Sequence, residues 1–230
     1  MSVHSTIKAD CPLELTDCRQ CERLAVFLDA VKEKSPDYHA RPVNAFGDAH
    51  AQFLIVGLAP GMHGANRTGR PFTGDYAGIL LYQTLYKYGF ASHSESISQQ
   101  DDLRLFNCRI TNAVKCLPPQ NKPSPEEIRQ CNHYLKMEVN TFKDQGGQVL
   151  LALGAIAHRA VLQSLDLRLK DYPFAHGAEH LLPNHSNSGS VKLYDSYHCS
   201  RYNTQTKRLT AEMFEQVFAS ISTDLSAAGY

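Results

Sequence analysis

The chain has 230 residues, 43% of them hydrophobic and 20% charged, with 14 Gly and 11 Pro. That composition belongs to soluble globular proteins and excludes collagen-like, fibrous and disordered classes, and the length suits one substantial core, so a single domain over 1–230 is expected. Lys and Arg number 23, as do Asp and Glu, for a formal net charge of zero; bulk electrostatic coating of nucleic acid is excluded, and any nucleic-acid site must be a local basic patch.

Taken in chain order, the N-terminal stretch MSVHSTIKADCPLELTDCRQ has no signal-type apolar core. No segment reaches the roughly 18–20 apolar residues that span a bilayer, so an intracellular protein, cytoplasmic and not membrane-bound, is expected, with the first ten or so residues flexible. A helix is predicted over about 15–33. A nearly continuous apolar run, AQFLIVGL at 51–58, reads as a strand covered on both faces. After it comes GLAPGMHGANRTGRPFTGDYAG, too long and too rich in Gly for a plain connector. Helical periodicity follows at 76–89, a second strand at 109–114 (RITNAV), and then the loop KCLPPQNKPSP. SPEE opens a helix over 124–144 with a capping-box pattern. QVLLALG at 148–154 reads as a third strand, 154–165 as a helix, VKLYDSYH at 191–198 as a fourth strand, and 206–226 as a last helix. Alternation of this kind predicts an α/β fold, a three-layer α/β/α sandwich on a short, mostly parallel four-stranded sheet.

In such sheets ligands bind beyond the carboxyl ends of the strands, which directs attention to the three unusual loops. The last, HCSRYNTQTKRLT at 198–210, carries Arg201, Lys207 and Arg208 with no acid among them; the first carries Arg67 and Arg70, also unopposed in sequence.

Seven cysteines without a secretory signal favour reduced thiols. Cys18 and Cys21 form a C-x-x-C pair beside polar neighbours, and Cys116 and Cys131 lie 15 residues apart; two such pairs can close one four-thiolate site. Spacing alone does not separate zinc from an iron–sulfur cluster, and buried cysteines acting as small hydrophobes are the plainer alternative. Cys108 reads as core, and Cys11 is a possible substitute ligand.

Together GLAPGMHGANRTGRPFTGD, TNAVKCLPPQNKP, the four cysteines and HCSRYNTQT resemble the iron–sulfur uracil-DNA glycosylases, specifically the B type (family 5), from about Cys18 to Leu209. The resemblance implies an α/β/α glycosylase fold with a structural four-iron four-sulfur cluster on Cys18, Cys21, Cys116 and Cys131, zinc being the alternative occupant. It implies a monofunctional glycosylase that extrudes uracil, or another deaminated base such as hypoxanthine, from DNA and starts base excision repair. Phe72 would stack on the flipped base, and Asn112 or Asn121 would read its edge, with Gly57 and Ala59 in the wall. Asp75 would stabilise the developing sugar cation or orient water, while also capping the helix at Tyr76. His198 would hydrogen-bond the departing base, and Arg201, Asn203, Lys207 and Arg208 would meet DNA, with Tyr202 or Gln205 filling the vacated space. His63, Arg70 and His176 are weaker candidates for the pocket wall.

Two departures matter. Many uracil glycosylases carry an acid or amide where this chain has Ala59, an absence the B type shares and the uracil-restricted A type does not. Cys199 stands where the last motif usually has Pro, which frees φ there. A monomer acting on DNA is expected, nucleoid-associated in a bacterium or archaeon. The competing reading from another class is a non-catalytic nucleic-acid-binding or redox-sensing module; GxxxxGKS and GxGxxG are absent, which disfavours nucleotide enzymes.

Overall fold

The computed structural model describes residues 15–183 and 190–227. Cys11 and the N-terminal segment expected to be flexible lie outside the described residues. A 3-10 turn at Leu15–Asp17 precedes α1 (Glu22–Lys34), followed by β1 (Phe46–Gly47), β2 (Phe53–Gly57), α2 (Ala65–Thr68) and α3 (Tyr76–Lys87). Then come β3 (Cys108–Asn112), α4 (Pro125–Asp144), β4 (Val149–Leu153), α5 (Ala155–Ser164), β5 (Glu179–Leu182), β6 (Val191–Ser196), α6 (Arg201–Gln205) and α7 (Ala211–Ala227).

The sheet has six strands in the order β1-β3-β2-β4-β6-β5, where the sequence predicts four. The four expected strands are its parallel centre, with register pairs such as Ile55 to Ile110 and Leu151 to Tyr194. The two additions are antiparallel edges. Both escape pattern reading for physical reasons: β1 is two residues long, and β5, EHLL, exposes three of its four residues in part or whole, so it lacks the apolar run of a doubly covered strand.

Period-two alternation along the central strands builds both cores. Phe53, Ile55, Leu151 and Tyr194 face one layer with Leu81 and Leu85 of α3 and Phe214 and Phe218 of α7. Leu54, Val56, Leu150 and Leu193 face the other with Leu135 and Val139 of α4 and Val161 of α5. Cys108 is fully buried in the first core, as read from sequence.

Helix boundaries shift where local chemistry intervenes. The helix expected from residue 15 begins at Glu22, because the Cys18–Cys21 segment turns instead of coiling. The capping box of α4 forms as expected: the Glu127 amide donates to Ser124 Oγ at 3.2 Å, and the Ser124 amide donates to Glu127 Oε2 at 2.7 Å. The final helix starts at Ala211, and the preceding segment, expected as loop, contains α6, capped by Ser200 Oγ accepting from the Asn203 amide. At the opposite end of the sheet, Gly146 and Gly147 turn the chain from α4 into β4.

Candidate active site

The carboxyl ends of β2, β3 and β4, with the loop after β6, surround a cavity of about 490 Å³. Ala59, Phe72, Asp75, Asn112, Asn121, His198 and Arg201 all line it, so three loops far apart in sequence deliver the expected residues to one place. Tyr76, Leu153, Gly154 and Ile156 complete the wall and carried no signal in the sequence, since apolar residues at an element's end look like core.

Asp75 does cap α3: its Oδ1 accepts from the Gly78 amide at 2.9 Å. Oδ2 lies against the Gly-rich loop, and a Cβ built on Gly64 would come 2.4 Å from it, so glycine there makes room for the carboxylate. Burial raises the Asp75 pKa above the ordinary carboxylate range, opposed by the amides of Gly78 and Ala77. The helix N-terminus thus holds an anion that the surroundings partly desolvate.

Phe72 sits at φ +54°, a conformation costly for an aromatic residue, and its backbone oxygen packs so tightly on α3 that a Cβ at Gly78 would reach within 1.9 Å of it. This fixes the ring, which lies nearly parallel to His198 with centroids 5.9 Å apart and planes 28° apart. Behind it, a Cβ on Gly57 would come 2.4 Å from Asn112 Oδ1 and 2.6 Å from the Phe72 ring. Gly57 therefore sets both residues from behind while not itself lining the cavity.

The two asparagines differ. Asn112 is 3% exposed and its Oδ1 has no hydrogen-bond partner within the protein, an expensive condition unless a ligand supplies one. Asn121 is exposed at the rim, at φ +56°. His198 is half-buried, with Nδ1 fully so and unpartnered; burial lowers its pKa to about 4, so the imidazole is neutral at neutral pH. Its carbonyl accepts from Asn203 Nδ2 at 2.8 Å. That bond shows Asn203, expected at the DNA, spending its amide on the conformation of its own loop. Cys199, in the usual proline position, is fully buried in the core beside it.

Arg201, Lys207 and Arg208 are exposed. Arg201 stacks over Tyr76 at 5.7 Å and Arg208 over Tyr197 at 4.6 Å, and Tyr202 projects with 71% of its surface exposed. The weaker wall candidates lie elsewhere. Arg70 is buried and paired with Asp101, an acid thirty-one residues away that the local reading could not see. His63 Nδ1 bonds Tyr38 at 2.8 Å, and His176 Nδ1 accepts from the Tyr197 amide at 3.2 Å.

Beyond the end of β3, Cys18, Cys21, Cys116 and Cys131 line one small cavity with Leu24, Lys115 and Tyr134. The Lys115 amide donates to Cys131 Sγ at 3.3 Å. Burial and the neighbouring thiols raise the Cys116 pKa beyond its ordinary value.

A sequence profile described as the Uracil DNA glycosylase superfamily matches residues 45–222. A type-5 uracil-DNA glycosylase of Thermus thermophilus is 47% identical over 208 residues, covering 88% of this chain and 91% of that one. The chain belongs to the uracil-DNA glycosylase superfamily.

A type-5 uracil-DNA glycosylase of Pyrobaculum aerophilum is 37% identical over 91% of this chain and 90% of its own. A type-4 uracil-DNA glycosylase of Archaeoglobus fulgidus is 32% identical over 67% of this chain. Full-length similarity thus lies with the type-5 glycosylases. The matched span holds all the cavity residues together with Cys116 and Cys131, while Cys18 and Cys21 precede it.

Proposed function

We propose that this protein is a monofunctional uracil-DNA glycosylase that also removes hypoxanthine and related deaminated bases. The observation that carries the reading is the meeting of a desolvated carboxylate, Asp75, with a buried unpartnered amide, Asn112, and an aromatic wall, Phe72, in one cavity at the strand ends. A flipped base stacks on Phe72 while Asn112 supplies the edge contact that its free oxygen awaits. As the N-glycosidic bond breaks, positive charge grows on the sugar and Asp75 stabilises it or orients the water that attacks. Negative charge moves onto the base, where neutral His198 donates a hydrogen bond. No lysine lines the cavity among the described residues, which favours water over an amine nucleophile.

The Ala59 side chain, in the cavity wall, offers no hydrogen bond to the base. A position without a polar side chain adds no discrimination of its own between bases, and this supports breadth beyond uracil. Arg201, Lys207 and Arg208 meet phosphates, and Tyr202 fills the space the base leaves. The protein acts as a monomer, which light scattering of the purified chain would test.

The four cysteines fit a four-iron four-sulfur cluster. Two cysteine pairs, Cys18 with Cys21 and Cys116 with Cys131, place four sulfur donors around one small cavity, the donor set such a cluster takes. When bound, the cluster supplies a covalent staple between the approach to α1, the loop after β3 and α4. Iron and sulfide analysis of anaerobically purified protein tests this against zinc.

The test of activity is alkaline cleavage of labelled duplexes carrying one uracil, one hypoxanthine or only normal bases, with wild type and Asp75→Asn. Abasic sites at both lesions, falling about 10²–10³-fold in the variant, are expected from loss of an electrostatic group of this kind. Cleavage at uracil alone would overturn the broad specificity. No cleavage by folded, cluster-loaded protein would overturn the enzyme and leave a binding module.

A further inference from the structure

Outside the cavity, two histidines from two elements converge on one carboxylate of a third. Asp195 of β6 is wholly buried; His158 of α5 approaches its Oδ1 through Nδ1 at 2.7 Å, and His180 of β5 approaches its Oδ2 through Nε2 at 3.2 Å. The ion pairs of Asp195 are with these histidines alone, no Lys or Arg among the described residues reaching it.

His158 fixes the electrostatics. Its Nε2 lies 2.9 Å from the Tyr172 carbonyl oxygen, which can only accept, so Nε2 carries a hydrogen. A neutral ring then turns the Nδ1 lone pair toward a carboxylate oxygen, an arrangement that needs a cation between them. A proton on His158 Nδ1 with an N–H donated by His180 Nε2 is the metal-free alternative, and the zinc measurement below separates the two. A metal-bound histidine characteristically donates its remaining ring N–H to a backbone carbonyl, as His158 does to Tyr172.

We propose that His158 Nδ1, His180 Nε2 and Asp195 form a binding site for a divalent metal ion of the zinc class. Two imidazoles and one carboxylate are a borderline nitrogen–oxygen donor set suited to that ion. The three ligand atoms lie within 4.8 Å of one another, close enough to gather about one ion at metal bonds of about 2.0–2.2 Å. Phe174 and Tyr172 provide aromatic walls, the Phe174 ring 5.6 Å from that of His158 and the Tyr172 ring 5.7 Å from that of His180. His180 is 11% exposed, which leaves water a route to the fourth position. The ion would pin the edge strand β5 to β6 and α5, and Asp195 stands three residues before His198. Its role is structural, separate from the four-cysteine site.

Cluster-loaded wild type, His180→Ala and Asp195→Asn would each be dialysed against micromolar zinc, then against metal-free buffer, and bound zinc measured per chain by mass spectrometry. Zinc at the cysteines is common to all three proteins and cancels in the difference. Wild type should retain one equivalent more than either variant, and only wild type should gain melting temperature on zinc addition. Asp195→Asn preserves side-chain shape, and circular dichroism with iron content verifies that both variants fold. Equal zinc in wild type and His180→Ala would overturn the proposal, as would no retention of zinc, cobalt or nickel by wild type; a proton on His158 would then balance Asp195. Cobalt bound to wild type should show nitrogen–oxygen ligand-field bands without added thiolate charge transfer.

Discussion

Asp75 serves two physical roles, and substitutions can separate them. Asn also caps helices, so Asp75→Asn should lose activity while its thermal midpoint holds or rises, since the desolvated charge is gone. Raised in the fold, the Asp75 pKa makes the ionised form a cost, and what this group contributes to stability is present at low pH and lost as pH rises through the folded value. Activity runs the other way. The acid limb of the glycosylase rate should fall with a midpoint above the ordinary carboxylate range and vanish from the residual rate of Asp75→Asn. His198 has the opposite sign: its folded pKa of about 4 lies below the ordinary 6.5, so its contribution is full above the latter and fades as pH drops toward the former. A limb with its midpoint in the ordinary carboxylate range or below would contradict the burial of Asp75. Gly64→Ala should act through the same carboxylate. Its methyl group would fall 2.4 Å from Oδ2, so kcat should drop at least tenfold in protein that still folds; unchanged kcat would mean that the carboxylate moves freely.

Among elements, α4 joins the four-cysteine site to the core. Glu127 closes the capping box with Ser124 and also takes two bonds from Arg23 of α1, Nε and one terminal nitrogen each at 2.7 Å. Ser124→Ala should lower stability by about 0.5–2 kcal/mol in urea unfolding, without changing the bases accepted. This element also illustrates what the sequence makes legible. The SPEE opening and the apolar periodicity of α4 are local signals, and the doubly covered central strands are as readable as their continuous hydrophobic runs. Asp75, Phe72, Asn112 and His198 reached the notice of sequence reading through motif resemblance, and spacing alone would have left each as a cap, a plug or a turn residue. Tyr76 and Ile156 stayed hidden because a cavity wall is a property of three-dimensional assembly. So did the engagement of Arg70 with Asp101 and of His158 and His180 with Asp195, pairings made by chain segments 31, 37 and 15 residues apart.

For the whole molecule, zero net charge means that DNA association must rest on a local group of exposed cations, and Arg201, Lys207 and Arg208 are the proposed one. Each phosphate neutralised contributes about 0.9 to the slope of log affinity against log salt. Replacing Arg201, Lys207 and Arg208 by Ala should reduce that slope by about 2–3, measured by anisotropy of an abasic-site duplex across salt, whereas Arg70→Ala should act on stability. An unchanged slope in the triple variant would place the DNA on another face. The asymmetry of the sheet has a practical side as well. All the glycosylase residues gather at its carboxyl rim, while the turn from α4 into β4 sits at the far end, where Asp144 and Gln145 are exposed. A fluorophore, surface tether or fused protein joined there would trail behind the enzyme, leaving the rim that carries the cavity unencumbered for single-molecule work or for joining to a second repair activity.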